Sequence, residues 1–222
     1  MDKTSSIKKA CQITDQTFKY ALEKIKTGIT EKELAGEINK SIRKQGARLA
    51  FRTIVAFGKS AFEIHHKPTN IKLTRNQFVL LDFGAKFNGY CADMSRTVVF
   101  GKATGEQKKI YNAVLIAQEK AIKVIKPNCK TYEIDKVARD YIFKKGFNPI
   151  PHSLGHGVGK KVHEKPRISP MSPDILKIGD IFTIEPGIYI KNFGGVRIED
   201  VLILQKGRAR ALTHSPKHLI EV

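Results

Sequence analysis

Residues 77–100 read QFVLLDFGAKFNGYCADMSRTVVF, and this stretch decides the fold. Two apolar runs, FVLLDF and TVVF, flank Asn88-Gly89, a strong signal for a tight turn between antiparallel strands. Each arm carries an aspartate that packing does not explain: Asp82 interrupts the first run, and Asp93 lies in GYCADMSRT. If the turn centres within a residue of Asn88, the two are opposite or diagonal neighbours, about 5 Å or about 7–8 Å apart. Like charges that close are destabilising unless a metal, a shared proton or an arginine neutralises them. The bland alternative, one capping and one surface aspartate, fits Asp82 poorly because it sits inside the run.

Upstream, Ile7, Ala10, Cys11, Thr14, Phe18, Ala21, Leu22 and Ile25 recur at helical spacing over residues 4–27, closed by Gly28. Thr30 and Glu33 form a capping-box pattern that opens a second helix, ending near Gly46. Residues 51–57 and 77–83 read as short strands. Thr104 and Gln107 repeat the capping-box pattern for a helix running to Pro127, and a fourth helix spans about 132–145 and stops at Gly146. After it the chain is strand and loop. The order is helix-helix-strands, twice over, with no residue-level repeat. The expectation is one α+β domain, its helices packed outside a mainly antiparallel sheet.

Three further residues stand out. His156 lies in SLGHGVG, Glu185 ends the run DIFTIE before Pro-Gly, and Glu199 lies in GGVRIEDVLIL. With Asp82 and Asp93 they supply four carboxylates and one imidazole, the ligand set for two hard or borderline divalent cations, a pairing suited to hydrolysis. The glycines beside His156 permit close backbone approach to a ligand and leave the imidazole exposed in a cleft. Strand alternation puts Thr183 on the face of Glu185, where it would bond a coordinated group. It puts Arg197 on the face of Glu199, either as a surface ion pair or to orient a carboxylate. His65 and His66 end a strand-loop segment, where an imidazole beside a metal pair would hold a substrate carbonyl or carboxylate. His152, His156 and His163 fall within twelve residues, which favours a site over isolated structural histidines.

Composition narrows the partners. The formal charge of +19 comes from 40 Lys and Arg against 21 Asp and Glu. Such a surface attracts RNA non-specifically, but the lysines are dispersed on helix faces, with no run of five basics, so nucleic acid is not the expected partner. Cys11, Cys91 and Cys129 form no CxxC pair, which suggests reduced thiols in a cytoplasmic setting. No stretch approaches the roughly 20 apolar residues of a membrane span.

The Asp82/Asp93 hairpin, GHGVG at 155–159, TIEPG at 183–187 and RIED at 197–200, in this order, resemble the pita-bread metallopeptidase superfamily. That group includes methionine aminopeptidases, aminopeptidase P, prolidase and the metal-free creatinases. The resemblance extends from the first helix to THSPKHLI at 213–220. It implies a pita-bread fold of two pseudo-symmetric halves. It also implies two divalent ions per chain, manganese in preference to cobalt, iron or zinc. Asp82 would chelate one ion, His156 and Glu185 the other, and Asp93 and Glu199 would bridge both. Glu185 would shuttle protons, His65 and His163 would face the substrate as catalytic imidazoles, and His152 and Arg197 would complete the substrate side.

LDFGAKFNGYCADMSRT, VHEKPRIS, EPGIYI and GGVRIED look like the Xaa-Pro aminopeptidase and dipeptidase group. The implied activity is hydrolysis of the N-terminal residue of peptides, Xaa-Pro bonds favoured, with a homodimer as the implied assembly. Methionine aminopeptidases typically carry a Gln-x-Glu-His segment in place of Arg197-Ile198-Glu199-Asp200; they remain the alternative within the class. A non-catalytic, RNA- or ribosome-associated scaffold is the alternative outside it. Met1 leads almost directly into the first helix, so residues 1–222 are expected to be a single catalytic domain without the N-terminal domain usual in Xaa-Pro peptidases. Ile64 stands before His65 where related chains often have proline, and His66 doubles the imidazole.

Overall fold

A computed structural model describes all of residues 1–222. The first half contains α1 (Lys3–Lys24), α2 (Glu31–Lys44), β1 (Arg48–Leu49), β2 (Ile54–Phe57), β3 (Gln77–Phe83), β4 (Ala85–Phe87), β5 (Tyr90–Cys91) and β6 (Met94–Phe100). The second contains α3 (Gly105–Lys123), α4 (Thr131–Lys144), β7 (Gly155–Gly157), β8 (Glu164–Ile168), β9 (Ile181–Ile184), β10 (Gly187–Ile190), β11 (Gly194–Arg197), β12 (Asp200–Leu204) and β13 (Ala209–Ala211). No helix is long and apolar enough to cross a membrane.

Local chemistry sets most boundaries. Asp2 caps α1 by accepting from the Ser5 amide. Both expected capping boxes are present, Thr30 with Glu33 on α2 and Thr104 with Gln107 on α3. The first helix stops at Lys24, short of residue 27, because Ile25 is extended and the Gly28 amide instead donates to Leu73 O at 2.9 Å. The strand read over 51–57 begins only at Ile54; residues 51–53 lie outside it, and Phe51 and Arg52 line a cavity.

Strands β2-β3-β6 form one antiparallel sheet and β13-β12-β9-β7-β8 another, with β10-β11 and β1-β4-β5 as smaller sheets. Asn88 and Gly89 both take positive φ, 48° and 80°, between paired Phe87 and Tyr90. This is the mirror-image turn whose twist matches a hairpin. The register puts Asp82 opposite Ser95, which makes Asp93 its diagonal neighbour.

The two halves repeat at the level of backbone and burial. Helices α2 and α4 are both 14 residues long and begin at Glu31 and Thr131. Leu34, Ile38 and Ile42 are buried in one, and Ile134, Ala138 and Ile142 in the other. Gly28 and Ile29 exchange backbone bonds with Leu73 as Asn128 and Cys129 do with Leu176. The sequence hides this repeat because positions, rather than residues, are retained.

Arg96 on β6 fastens the halves together. Its guanidinium donates to Asp200 Oδ1 at 2.6 Å and to Ser215 O at 2.9 Å, and it also reaches Pro216 O at 3.1 Å. Asp200 is buried, which would push its carboxyl up, but Arg96 and Lys217 outweigh burial and hold it below its ordinary value. Removing one partner of a buried pair strands the other charge. Arg96→Met should therefore lower unfolding free energy by about 3–5 kcal/mol in urea titrations. Lys136→Ala, which breaks the exposed Lys136–Asp140 pair, should leave the urea midpoint nearly unchanged.

Candidate active site

The cluster of acids lies where the two halves meet. Asp82 comes from β3, paired on both sides, and Asp93 from the turn into β6. His156 is the central residue of β7, Glu185 follows β9, and Glu199 joins β11 to β12. Glu185 is fixed by its amide donating to Leu154 O at 2.7 Å, and Glu199 by its amide donating to Ser95 O at 3.0 Å. His156 Nε2 lies 3.6 Å from Asp93, 3.3 Å from Glu185 and 4.0 Å from Glu199.

The glycines around these residues answer a different need from the one read in the sequence. A Cβ on Gly155 would sit 2.0 Å from Thr183 O, and one on Gly157 2.0 Å from Lys165 O. They let neighbouring strands close on β7, and His156 is buried rather than exposed. Gly84 serves the hairpin likewise, its Cβ position lying 1.9 Å from Ala92 O. Thr183 accepts from the His156 amide at 3.2 Å and so holds the backbone rather than a coordinated group.

Arg197 pairs with Asp82, not with Glu199. It is 2% exposed and spends all three donor nitrogens locally: Nη2 on Asp82 Oδ2 at 2.6 Å, Nη1 on Tyr189 OH at 2.8 Å, Nε on Ser95 Oγ at 2.8 Å. Ser95 in turn donates to Glu199 Oε2 at 2.8 Å. The Tyr189 hydroxyl lies 2.8 Å from His152 Nε2, whose Nδ1 lies 2.8 Å from Ser153 O. Burial lowers the His152 pKa, with Arg197 acting in the same direction against Glu185. The ring is then neutral, Nδ1–H donating to Ser153 O and Nε2 accepting from Tyr189. Burial pushes Tyr189 up to about 12, so it remains a donor.

His163 packs edge-on against His156, ring centres 4.2 Å apart, and burial followed by the His156 charge lowers its pKa. His65 is exposed at the mouth. His66, by contrast, turns away, with Nε2 2.8 Å from Glu31. A cavity of about 790 Å³ opens over the cluster, its wall including His65, His152, His163 and Arg197. Phe51, Ile54, Ile64 and Val162 contribute apolar lining, and Arg52, Lys165 and Arg167 cationic lining.

Burial, then the charges of neighbouring carboxylates, pushes Asp93 and Glu199 well above the ordinary carboxylate range. Burial acts the same way on Glu185, but His156, His152 and Arg197 outweigh it and hold that carboxyl down. Asp82 Oδ1 and Glu199 Oε1 are buried with no hydrogen-bond partner. Three groupings bring ligand atoms within 4.8 Å of one another: Asp82-Asp93-Glu199, His156-Glu185-Glu199 and Asp93-His156-His163. Orphaned oxygens, crowded acids and one imidazole fit hard or borderline divalent cations, which would satisfy the oxygens and restore ionisation.

Sequence reasoning missed Tyr189 and Ser95. Ser95 had a signal, since it stands two residues from Asp93 on the same face. Tyr189 had only its place in the apolar run GIYI.

Such a cluster, set at the seam of two packed halves, is a set of side chains suited to holding divalent cations. The chain belongs to metallopeptidase family M24, whose pattern matches residues 5–206. It is 38% identical over 218 residues to an uncharacterized peptidase of Staphylococcus aureus strain MW2, covering 97% of this chain and 62% of that protein. Its fold is similar to a Bacillus anthracis Xaa-Pro dipeptidase, with TM-score 0.97 and 40% identity over 99% of this chain and 62% of the other. An X-Pro aminopeptidase of Thermotoga maritima is also similar, with TM-score 0.96 and 38% identity over 99% of this chain and 63% of the other. The chain thus spans about 62% of the length of the relatives it matches.

Repulsion within the cluster can be measured without turnover. Asp93→Asn removes a carboxyl whose ionisation burial and its neighbours oppose. In chelator-treated protein at pH 7 it should raise Tm by about 2–4 °C, the shift of ~1 kcal/mol at this size. The same variant should lose most of the stabilisation that added manganese gives the native chain. A lower Tm for the metal-free variant would show that Asp93 is not held against repulsion.

Proposed function

We propose that this chain carries the dinuclear-metal centre of an exopeptidase that removes the N-terminal residue of peptides, Xaa-Pro bonds favoured. The observation that carries this reading is the pair of orphaned carboxylate oxygens on Asp82 and Glu199, buried in a cluster beneath an open cavity. Asp82 would hold one ion, and His156 and Glu185 the other. Glu199 falls in two of the three groupings, with Asp82 and with His156, and Asp93 likewise comes within reach of Asp82 and of His156, which supports these two as bridges. Manganese is the proposed cation. When bound, the cations would supply Lewis acidity and lower the pKa of water to near neutrality.

The chain's own groups do the rest. Glu185, held ionised by His156, His152 and Arg197, would take up a proton at its carboxylate and return it to the departing amine. His163, neutral because burial and His156 lower its pKa, would donate an N–H to the carbonyl oxygen as charge develops there. His65 would hold the following residue from the opposite lip. Arg197 pairs with Asp82 and, through Tyr189, fixes the His152 ring. The free amino terminus would lie against the acidic floor, which limits cutting to the first bond. The apolar lining from Phe51, Ile54, Ile64 and Val162 suits a proline ring. The similarity to an Xaa-Pro dipeptidase and an X-Pro aminopeptidase supports the same preference.

Metal-stripped protein should release alanine from Ala-Pro-Ala or Ala-Pro only after manganese is added. Faster release of methionine from Met-Ala-Ser would reject the proline preference. His163→Ala should lower kcat about 10²–10³-fold, as loss of one oxyanion donor does, with metal content unchanged by mass spectrometry. Loss of metal instead would move His163 among the ligands.

A further inference from the structure

Glu31 is fully buried although it is the first residue of α2. Oε1 accepts from the Phe57 amide at 2.9 Å. Oε2 accepts from the Thr69 amide at 2.9 Å and the Thr69 hydroxyl at 2.7 Å, and lies 2.8 Å from His66 Nε2. One carboxylate therefore ties down the start, the later part and the end of the segment from Phe57 to Thr69. The α2 N-terminus adds a favourable dipole. The matching position of the second half holds Thr131, so the pseudo-symmetry does not demand an acid here.

His66 is 6% exposed, and its Nδ1 lies 2.9 Å from Glu63 Oε2. Burial opposes a charge on this ring, but its hydrogen bonds to Glu63 and Glu31, which accept from it, outweigh burial and raise its pKa. Burial likewise opposes the charge on Glu31, and His66, Phe57 and Thr69 outweigh it, lowering that carboxyl. The far side of the segment rests on β11, where Cβ atoms on Gly194 and Gly195 would lie 2.5 Å from Gly58 O and 2.2 Å from Ala61 O. With His66 turned inward, Ile64 and His65 are left on the wall of the cavity.

We infer that the Glu31–His66 pair is a positioning device: it holds the 57–69 segment so that His65 and Ile64 form one lip of the substrate cavity, and it acts on substrate handling without acting on the metal cluster. A buried carboxylate this heavily bonded resists rearrangement, because each donor it loses is left unpaired or must find water. A lip held this way keeps the His65 imidazole at a fixed distance from the acids below.

The inference rests on the function proposed above for His65, so its test has an arm that needs no turnover. Hydrogen exchange of the manganese-loaded chain should show the amides of 57–69 exchanging at least about tenfold faster in His66→Gln and in Glu31→Gln. Amides of β3 and β6 should be unchanged. Glu63→Gln, at an exposed position, should give a smaller rise in the same segment and carries the test if the buried variants do not fold. Unchanged exchange in the variants that fold overturns the clamp.

The second arm is a double-mutant cycle on Ala-Pro hydrolysis. His66→Gln should lower kcat/KM about tenfold in the native chain and less than twofold in His65→Ala, with metal content constant. Equal losses in the two backgrounds, or loss of metal, overturn the route through His65. A native chain that cleaves no peptide counts against the proposed function, while the exchange arm still decides the clamp.

Discussion

Three buried carboxylates, Asp82, Asp93 and Glu199, crowd together with the partly exposed Glu185 at the seam between the halves, and their mutual repulsion is the constraint around which the rest is arranged. Asp93 and Glu199 are pushed toward protonation by burial and by their neighbours, while Glu185 is held ionised by His156, His152 and Arg197. One environment thus sorts chemically similar groups into different states. The cations that would relieve the repulsion would, on the proposed function, also supply the reactivity. A cluster that is unfavourable alone and useful when loaded is a common exchange of stability for function.

The framework around the cluster is correspondingly stiff. Each nitrogen of the Arg197 guanidinium is held by a partner, Nη2 by Asp82, Nη1 by Tyr189 and Nε by Ser95. Ser95 passes that order on to Glu199, and Tyr189 passes it to His152. Arg96 and Asp200 close the seam one residue beyond these groups on each strand. Gly84, Gly155 and Gly157 let backbones approach closer than any side chain would permit, which brings ligands from separate strands within reach of one another.

Much of this was legible in the sequence, and for identifiable reasons. Capping boxes are local, so α2 and α3 could be placed from Thr30 and Thr104. Asn88-Gly89 placed the hairpin turn, because few residues accept two successive positive φ angles, and left Asp82 and Asp93 either opposite or diagonal until the register was seen. Helix α4 was harder, since its cap residue Lys130 makes no side-chain bond. The five clustered groups stood out as charge within apolar runs. What stayed hidden depends on distant partners: nothing near Arg197 in sequence shows that it pairs with Asp82, and nothing near His66 shows Glu31. The glycines of GHGVG could be noticed but not explained, because the atoms they admit belong to strands far along the chain.

The links that close the seam are long in sequence. Ser95 and Glu199 are 104 residues apart, as are Arg96 and Asp200, and Asp82 and Arg197 are 115 apart. One large apolar cluster lies within the first half, and the other lies mainly in the second, with Phe78 and Val99 joining it from the first, so much of each half can condense on its own contacts before these links form. If docking of the halves comes last, the acids meet only then, and their repulsion falls on the native side of the barrier. A cation bound there acts after that barrier has been crossed. It would prolong the lifetime of the folded chain far more than it would hasten folding.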